Sequence, residues 1–283
     1  MHRDARIFQP AARRILHVLT AALAFLAAGC PGDPPPDTTP IPGGGAWRSF
    51  ARVPVPLHES GGVVYDGRLY MIGGRLENGP VSTLWRYDPA TDAWTQLASH
   101  PGTPVDHMNV AEVDGILYAI GGTIEWPGPS VDGVYAYDPA TNIWTSRRSA
   151  PRPIAVSGTG VVNGRIYVIG GLSGGQAVNT VMEYDPSTDT WADLTPVSPM
   201  PTARDHFMAG VIDGRIYCPG GRQVAINNGV NAHEVFDPTM RTWSTAAQMP
   251  TPRAGYIGVV LGDEFLAIGG EGAGTAGGGL LQK

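Results

Sequence analysis

Apolar and polar positions alternate in short runs along residues 46–283, and Gly and Pro interrupt every long stretch of 3.6-residue period. That pattern predicts strands rather than helices. Apolar runs such as Gly62–Tyr65 and Val161–Val162 close a first strand, a. Tight turns follow at Asp66-Gly67, Asp114-Gly115, Asn163-Gly164, Asp213-Gly214 and the inverted Gly262-Asp263. Each turn leads into a second strand, b, as in Arg165-Ile166-Tyr167-Val168-Ile169.

Strand b ends on a Gly doublet: Gly73-Gly74, Gly121-Gly122, Gly170-Gly171, Gly220-Gly221 and Gly269-Gly270, spaced 48, 49, 50 and 49 residues apart. Fourteen to sixteen residues later a third strand, c, ends at Tyr87-Asp88, Tyr137-Asp138, Tyr184-Asp185 and, with one change, Phe236-Asp237. Asp-Pro then opens the turn into strand d, which carries Trp94, Trp144, Trp191 or Trp243 seven residues after the aromatic. A four-part match at one period near fifty indicates a propeller or solenoid. The order Gly-Gly, Tyr-Asp, Trp resembles the kelch repeat over nearly all of residues 46–283. The resemblance implies an all-β, kelch-type β-propeller with one four-stranded blade per repeat and about five blades. Cys218-Pro219 before Gly220, and Phe236 for Tyr, are departures that leave the fold intact.

The ends leave closure open. Trp47 fits the strand d pattern with no strands a to c before it, and Gly279–Lys283 stands where the last strand c belongs. Either the Trp47 strand completes the last blade and closes a five-blade ring, or the chain is a truncated propeller with an aggregation-prone edge. Kelch proteins usually have six or seven blades.

The first residues read as an address. Arg3, Arg6, Arg13 and Arg14 precede an apolar run from Ile15 to Ala28, the basic and apolar regions of a secretory signal, too short for a permanent bilayer span. Its end, Leu26-Ala27-Ala28-Gly29-Cys30, resembles the bacterial lipoprotein lipobox, which implies lipid attachment at Cys30. The other reading is ordinary secretion with Cys30 incidental. Three regions follow: 1–29 as lipoprotein signal peptide, 30–45 as Pro/Gly-rich linker and 46–283 as propeller. Without residues 1–29 the chain has 15 basic and 24 acidic residues, a net charge of −9, which disfavours nucleic acid and anionic lipid as main partners.

The four-strand order places the d–a and b–c connections on one face. The residue pairs opening strand a there are His58-Glu59, Asp106-His107, Ala155-Val156, Asp205-His206 and Ala254-Gly255, with Arg204 and Arg253 preceding two of them. Three of the five set an acid beside an imidazole at the channel rim. One reading is a polar pocket that binds a ligand or metal or performs acid–base work. The other, preferred here, is that these groups hydrogen-bond neighbouring blades. Trp126, outside the repeat positions, is the candidate exposed stacking aromatic, while Trp85 lies within strand c and packs. Arg75, Arg222 and Glu271, directly after Gly doublets, have two readings, as part of the lining of the same mouth or, the one favoured, as solvated surface. Loops this short predict a shallow bowl suited to contacting a partner.

Cys218 aligns with apolar strand b positions and reads as a small buried residue with no disulfide partner. Galactose oxidase-like proteins share the kelch propeller and use a copper site with Tyr and His ligands and a Cys-linked Tyr, but no long loop brings such a set together here. No phosphate-binding loop or His-Glu-x-x-His helix occurs, so neither catalytic residues nor a cofactor is assigned. The expectation is a binding module of the bacterial cell envelope, anchored to the membrane by lipid at Cys30 in the periplasm or at the cell surface. It recognises a protein or glycan through His58, Glu59, Asp106, His107, Trp126, Arg204, Asp205, His206 and Arg253. The alternative is a periplasmic carbohydrate-active enzyme, similar to sialate mutarotase-like kelch proteins, with Arg204 or Arg253 on a sugar carboxylate.

Overall fold

The computed structural model describes residues 48–126, 128–223 and 229–272. The first blade comprises β1 (Gly61–Tyr65) and β2 (Arg68–Ile72), a small hairpin of β3 (Arg75–Leu76) and β4 (Gly79–Pro80), then β5 (Leu84–Asp88) and β6 (Ala93–Leu97). The second is β7 (Asn109–Val113), β8 (Ile116–Ile120), β9 (Val134–Asp138) and β10 (Ile143–Arg147). The third is β11 (Gly158–Val162) and β12 (Arg165–Ile169), a hairpin of β13 (Leu172–Ser173) and β14 (Gln176–Ala177), then β15 (Val181–Asp185) and β16 (Thr190–Asp193). The fourth is β17 (Gly210–Ile212), β18 (Arg215–Pro219), β19 (His233–Asp237) and β20 (Thr242–Thr245). The fifth has β21 (Ile257–Leu261) and β22 (Glu264–Ile268) among the described residues. Each complete blade is one antiparallel sheet in the order a-b-c-d, and the five a strands pack in succession around the axis.

The sequence dictates the hairpins. β1 and β2 pair from Tyr65↔Arg68, leaving Asp66 (φ 48°) and Gly67 (φ 70°) as a two-residue turn with both residues left-handed. In the last blade only Gly262 (φ 65°) is left-handed, so the inverted Gly-Asp order suits a turn that needs positive φ at its first position alone. At the doublets, Gly121 (φ 66°) lies so close to the next blade that a Cβ there would collide with the Ile154 carbonyl. The Gly122 N–H donates to that same carbonyl at 2.9 Å.

The core lies between sheets. Ile120, Val134, Ile166 and Tyr184 pack blade two on blade three, and Ile169, Val181, Phe207 and Ile216 pack blade three on blade four. Each repeat Trp also reaches the previous repeat: the indole N–H of Trp144 donates to Ala98 O at 2.7 Å and that of Trp191 to Arg148 O at 2.9 Å. Trp94 makes the same bond to Ala51 O at 2.8 Å, so segment 50–57 covers blade one as a preceding blade would. Ala51 follows Trp47 by the four residues that separate Ala98 from Trp94 and Arg148 from Trp144. The expected Trp47 strand, the strand at 279–283, the signal peptide, the linker and Cys30 all lie outside the described residues. Trp85 and Cys218 are buried within strands, as their positions predict.

Candidate functional site

The pairs that open strand a are built twice over by the backbone. The first member bridges to the residue after the Gly doublet: Asp106 N–H donates to Thr123 O at 3.0 Å, and Asp205 N–H to Arg222 O at 3.0 Å, each with a return bond. The second member links blade to blade. His107 N–H donates to Glu59 O (2.9 Å), Val156 N–H to His107 O (3.0 Å), His206 N–H to Val156 O (3.1 Å) and Gly255 N–H to His206 O (2.8 Å). Glu59, His107, Val156, His206 and Gly255 all adopt φ between 54° and 56°, and all five line one central cavity. A left-handed backbone at a bulky residue is unusual, and at His107, Val156 and His206 it is held by bonds to the blades on both sides.

Side chains complete the mouth. Asp106, wholly buried, accepts from His107 Nδ1 (2.8 Å), Arg75 Nη1 (3.0 Å) and the Thr123 hydroxyl. The other ring nitrogen of His107 meets Glu59 Oε2 at 3.1 Å. Across the axis, Asp205 accepts from His206 Nδ1 (2.5 Å) and Arg222 Nε (3.1 Å). Arg222 Nη2 reaches His206 Nε2 at 2.9 Å, and its Nη1 pairs with Glu271. Trp126 caps the cluster. Its indole stacks on His107 (centroids 4.8 Å apart, planes at 28°), meets His206 edge on (5.4 Å) and lies 5.7 Å from the Arg222 guanidinium carbon.

The two imidazoles differ in charge. Burial opposes the protonated form of His107, but the hydrogen bonds to Asp106 and Glu59 outweigh it and raise the pKa to about 9. In return, the His107 bond holds the Glu59 carboxyl below its usual range. For His206, burial dominates and lowers the pKa despite Asp205, with the positive Arg222 adding to the effect. Arginine can only donate, so His206 Nε2 accepts and its Nδ1–H goes to Asp205. His107 is therefore an imidazolium and His206 a neutral ring at pH 7. Among the described residues, no group of three or more His, Cys, Asp or Glu side chains is arranged to hold a metal ion.

The structure thus brings together Glu59, Asp106, His107, Trp126, Asp205 and His206, with His58 exposed at the cavity edge. Arg204 and Arg253 are placed elsewhere, which corrects the expected rim position. The Gly171 N–H binds Arg204 O at 2.8 Å, and the fully buried guanidinium pairs with Glu234 and donates to Cys218 O at 2.5 Å. Arg253 is also buried and donates to Gly269 O at 2.9 Å. Arg222, read from sequence as solvated, is 7% exposed and central to the mouth. The sequence signal for it is its place directly after the Gly220-Gly221 doublet, the basis of the alternative reading that it lines the mouth. The bowl is also deeper than short loops predict, with a cavity of about 430 Å³, because its walls are formed by the residues that lead into and begin the a strands rather than by the b–c loops.

The comparisons with known proteins agree with this architecture. The profile of the KLHDC2/KLHL20/DRC7 Kelch-repeats domain matches residues 107–279, and that of the Kelch motif matches 56–101. Kelch-like protein terF of Aspergillus terreus (strain NIH 2624 / FGSC A1156) is 30% identical over 282 residues, covering 92% of this chain and 60% of that protein. Kelch-like protein 15 of Danio rerio is 25% identical over 251 residues, covering 79% of this chain and 40% of that protein. The chain therefore spans 60% or less of the length of these relatives. The solved structure described as "Structure of YjhT" has a likeness of fold, with a TM-score of 0.72 at 18% identity over 84% of this chain and 83% of that one. With a kelch profile matching well over half its length, the chain belongs to the kelch-repeat family.

Proposed function

We propose that this kelch propeller is a binding module whose ligand, a protein or glycan, docks on the face bearing the d–a and b–c connections. The observation that carries this reading is Trp126: an indole 37% exposed at the centre of that face, braced from below by His107, His206 and Arg222. A rigid, partly exposed aromatic is the kind of group that anchors an interface. The polar groups beneath it are paired with one another, which favours a scaffold for contact over a set of free catalytic groups. The resemblance of Leu26–Cys30 to a bacterial lipobox is the feature that supports placing the module on the cell envelope, lipid-anchored beyond a Pro/Gly-rich spacer. The test is a glycan array together with an envelope pull-down, each run with wild type and Trp126→Ala. A specific signal lost in the variant supports the reading, and no signal, or one indifferent to Trp126, sinks it. Labelled fatty acid that appears on wild type and not on Cys30→Ser supports the anchor, and equal labelling refutes it.

One observation favours an enzyme instead: His107 and His206 lie side by side with pKa values pushed in opposite directions, an arrangement that can divide acid and base roles. Anomerisation of a sugar acid that is lost in both His107→Gln and His206→Gln would move the conclusion to that reading.

A further inference from the structure

The space beneath Trp126 has a chemistry of its own. Its walls include Val63 and Val64 of β1, Ile257 and Val259 of β21, and Met108 and Met208 between them. Val64 is 39% and Met208 43% exposed, large apolar side chains left open in the interior of the ring. At about 430 Å³ the cavity falls in the range of small-molecule pockets, roughly 300–1000 Å³. The polar groups at its upper end are mostly occupied. Both ring nitrogens of His107 are taken by Asp106 and Glu59, and both of His206 by Asp205 and Arg222. Neither imidazole has an N–H left for an incoming anion. His58 stands exposed at the edge and the Ser60 hydroxyl is unpaired, while the open carboxylate is Glu59, whose side chain is 48% exposed, uses Oε2 for His107 and has no partner on Oε1 among the described residues. With His107 positive beside it, this carboxylate does not call for a second full positive charge.

From these features we infer that the cavity is a binding site for a compact, uncharged apolar molecule carrying one hydroxyl or N–H donor, its body between β1 and β21 and its donor on Glu59. The inference goes beyond the docking of a macromolecule on the outer face. Its outcome is independent of Trp126→Ala pull-downs.

The probe is N-phenyl-1-naphthylamine, an apolar amine with one N–H, titrated into the full chain and followed by its fluorescence. The N-methyl analogue, which lacks the donor, is run beside it. Expected is saturable binding at one site per chain. Val259→Phe, which fills the cavity, weakens the first probe about tenfold. Glu59→Met weakens it about five- to tenfold and leaves the weaker N-methyl analogue unchanged. Near-UV circular dichroism checks folding, and Met208→Phe replaces Val259→Phe should the latter unfold. Absence of saturation, more than one site, or indifference to the filling variants overturns the inference, because the dye then sits elsewhere or not at all. Equal sensitivity of both probes to Glu59→Met overturns the donor assignment.

Discussion

His107 and His206 meet edge to face with ring centroids 5.2 Å apart, one held protonated and the other neutral. The difference follows from partners. His107 has a carboxylate on each nitrogen, whereas His206 has one carboxylate and one guanidinium.

A pH dependence follows for His107. Its folded pKa of about 9 exceeds the unfolded value near 6.5, so its stabilisation is complete below 6.5 and is lost as pH rises through about 9. The shift corresponds to roughly 3 kcal/mol. Thermal melts between pH 7 and 9.5, below the usual tyrosine range, should show wild type losing more stability than His107→Gln. Parallel losses in the two proteins would contradict the charge assignment.

His100 titrates in the opposite sense. It is buried between Tyr135 and Trp144 with both ring nitrogens unpartnered, and burial lowers its pKa to about 4. Its contribution is present above pH 6.5 and lost as pH falls towards 4. His100→Phe should remove part of the acid sensitivity, on the order of 1–3 kcal/mol between pH 7 and 4.5 by urea unfolding. An unchanged acid loss would show that His100 is not its source.

The fourth blade departs from the others at two positions, and the structure links them. In blades one to three, Tyr87, Tyr137 and Tyr184 donate their hydroxyls to Asp92 (2.6 Å), Asn142 (2.8 Å) and Asp189 (2.6 Å). Those oxygens also accept the N–H of Ala51, Ala98 and Arg148 from the preceding repeat. Blade four has Arg241 at the acceptor position and Phe236 in place of Tyr, while Ser198 Oγ bonds Arg241 O at 2.7 Å. Phe236→Tyr alone should destabilise by about 1–3 kcal/mol, since its hydroxyl finds no acceptor. Adding Arg241→Asp should recover about 1 kcal/mol as a coupling term in a double-mutant cycle. Strict additivity would break the link.

Much of this was legible in the sequence. The turn dipeptides, Gly doublets and Trp residues marked nearly every strand, because each needs a particular backbone or a large anchor at a fixed place. The pairs opening strand a were likewise located by counting back from the hairpin. The inward turn of Arg204 is not legible, because spacing does not tell which way a side chain turns. Its carbonyl is fixed by Gly171, and its guanidinium goes inward to Glu234, a partner thirty residues away. Arg222 reads as surface for the same reason, since only folding shows Asp205, His206 and Glu271 converging on it.

A structural role for Arg204 makes a clear prediction. Arg204→Leu leaves Glu234 buried without its cation and should cost about 3–5 kcal/mol, with Arg204→Leu/Glu234→Leu recovering much of it. Chemical denaturation measures both. A rim ligand contact would instead show little stability loss together with loss of binding.

The central claim, that the ligand docks on the face centred on Trp126, is tested most directly by site-specific photo-cross-linking in envelope extracts. Benzoylphenylalanine is placed at position 126 and, on the opposite face, at the a–b turn residue 213. A discrete cross-linked species at 126 and none at 213 is the predicted result. Cross-linking at 213, or at neither position, would contradict it.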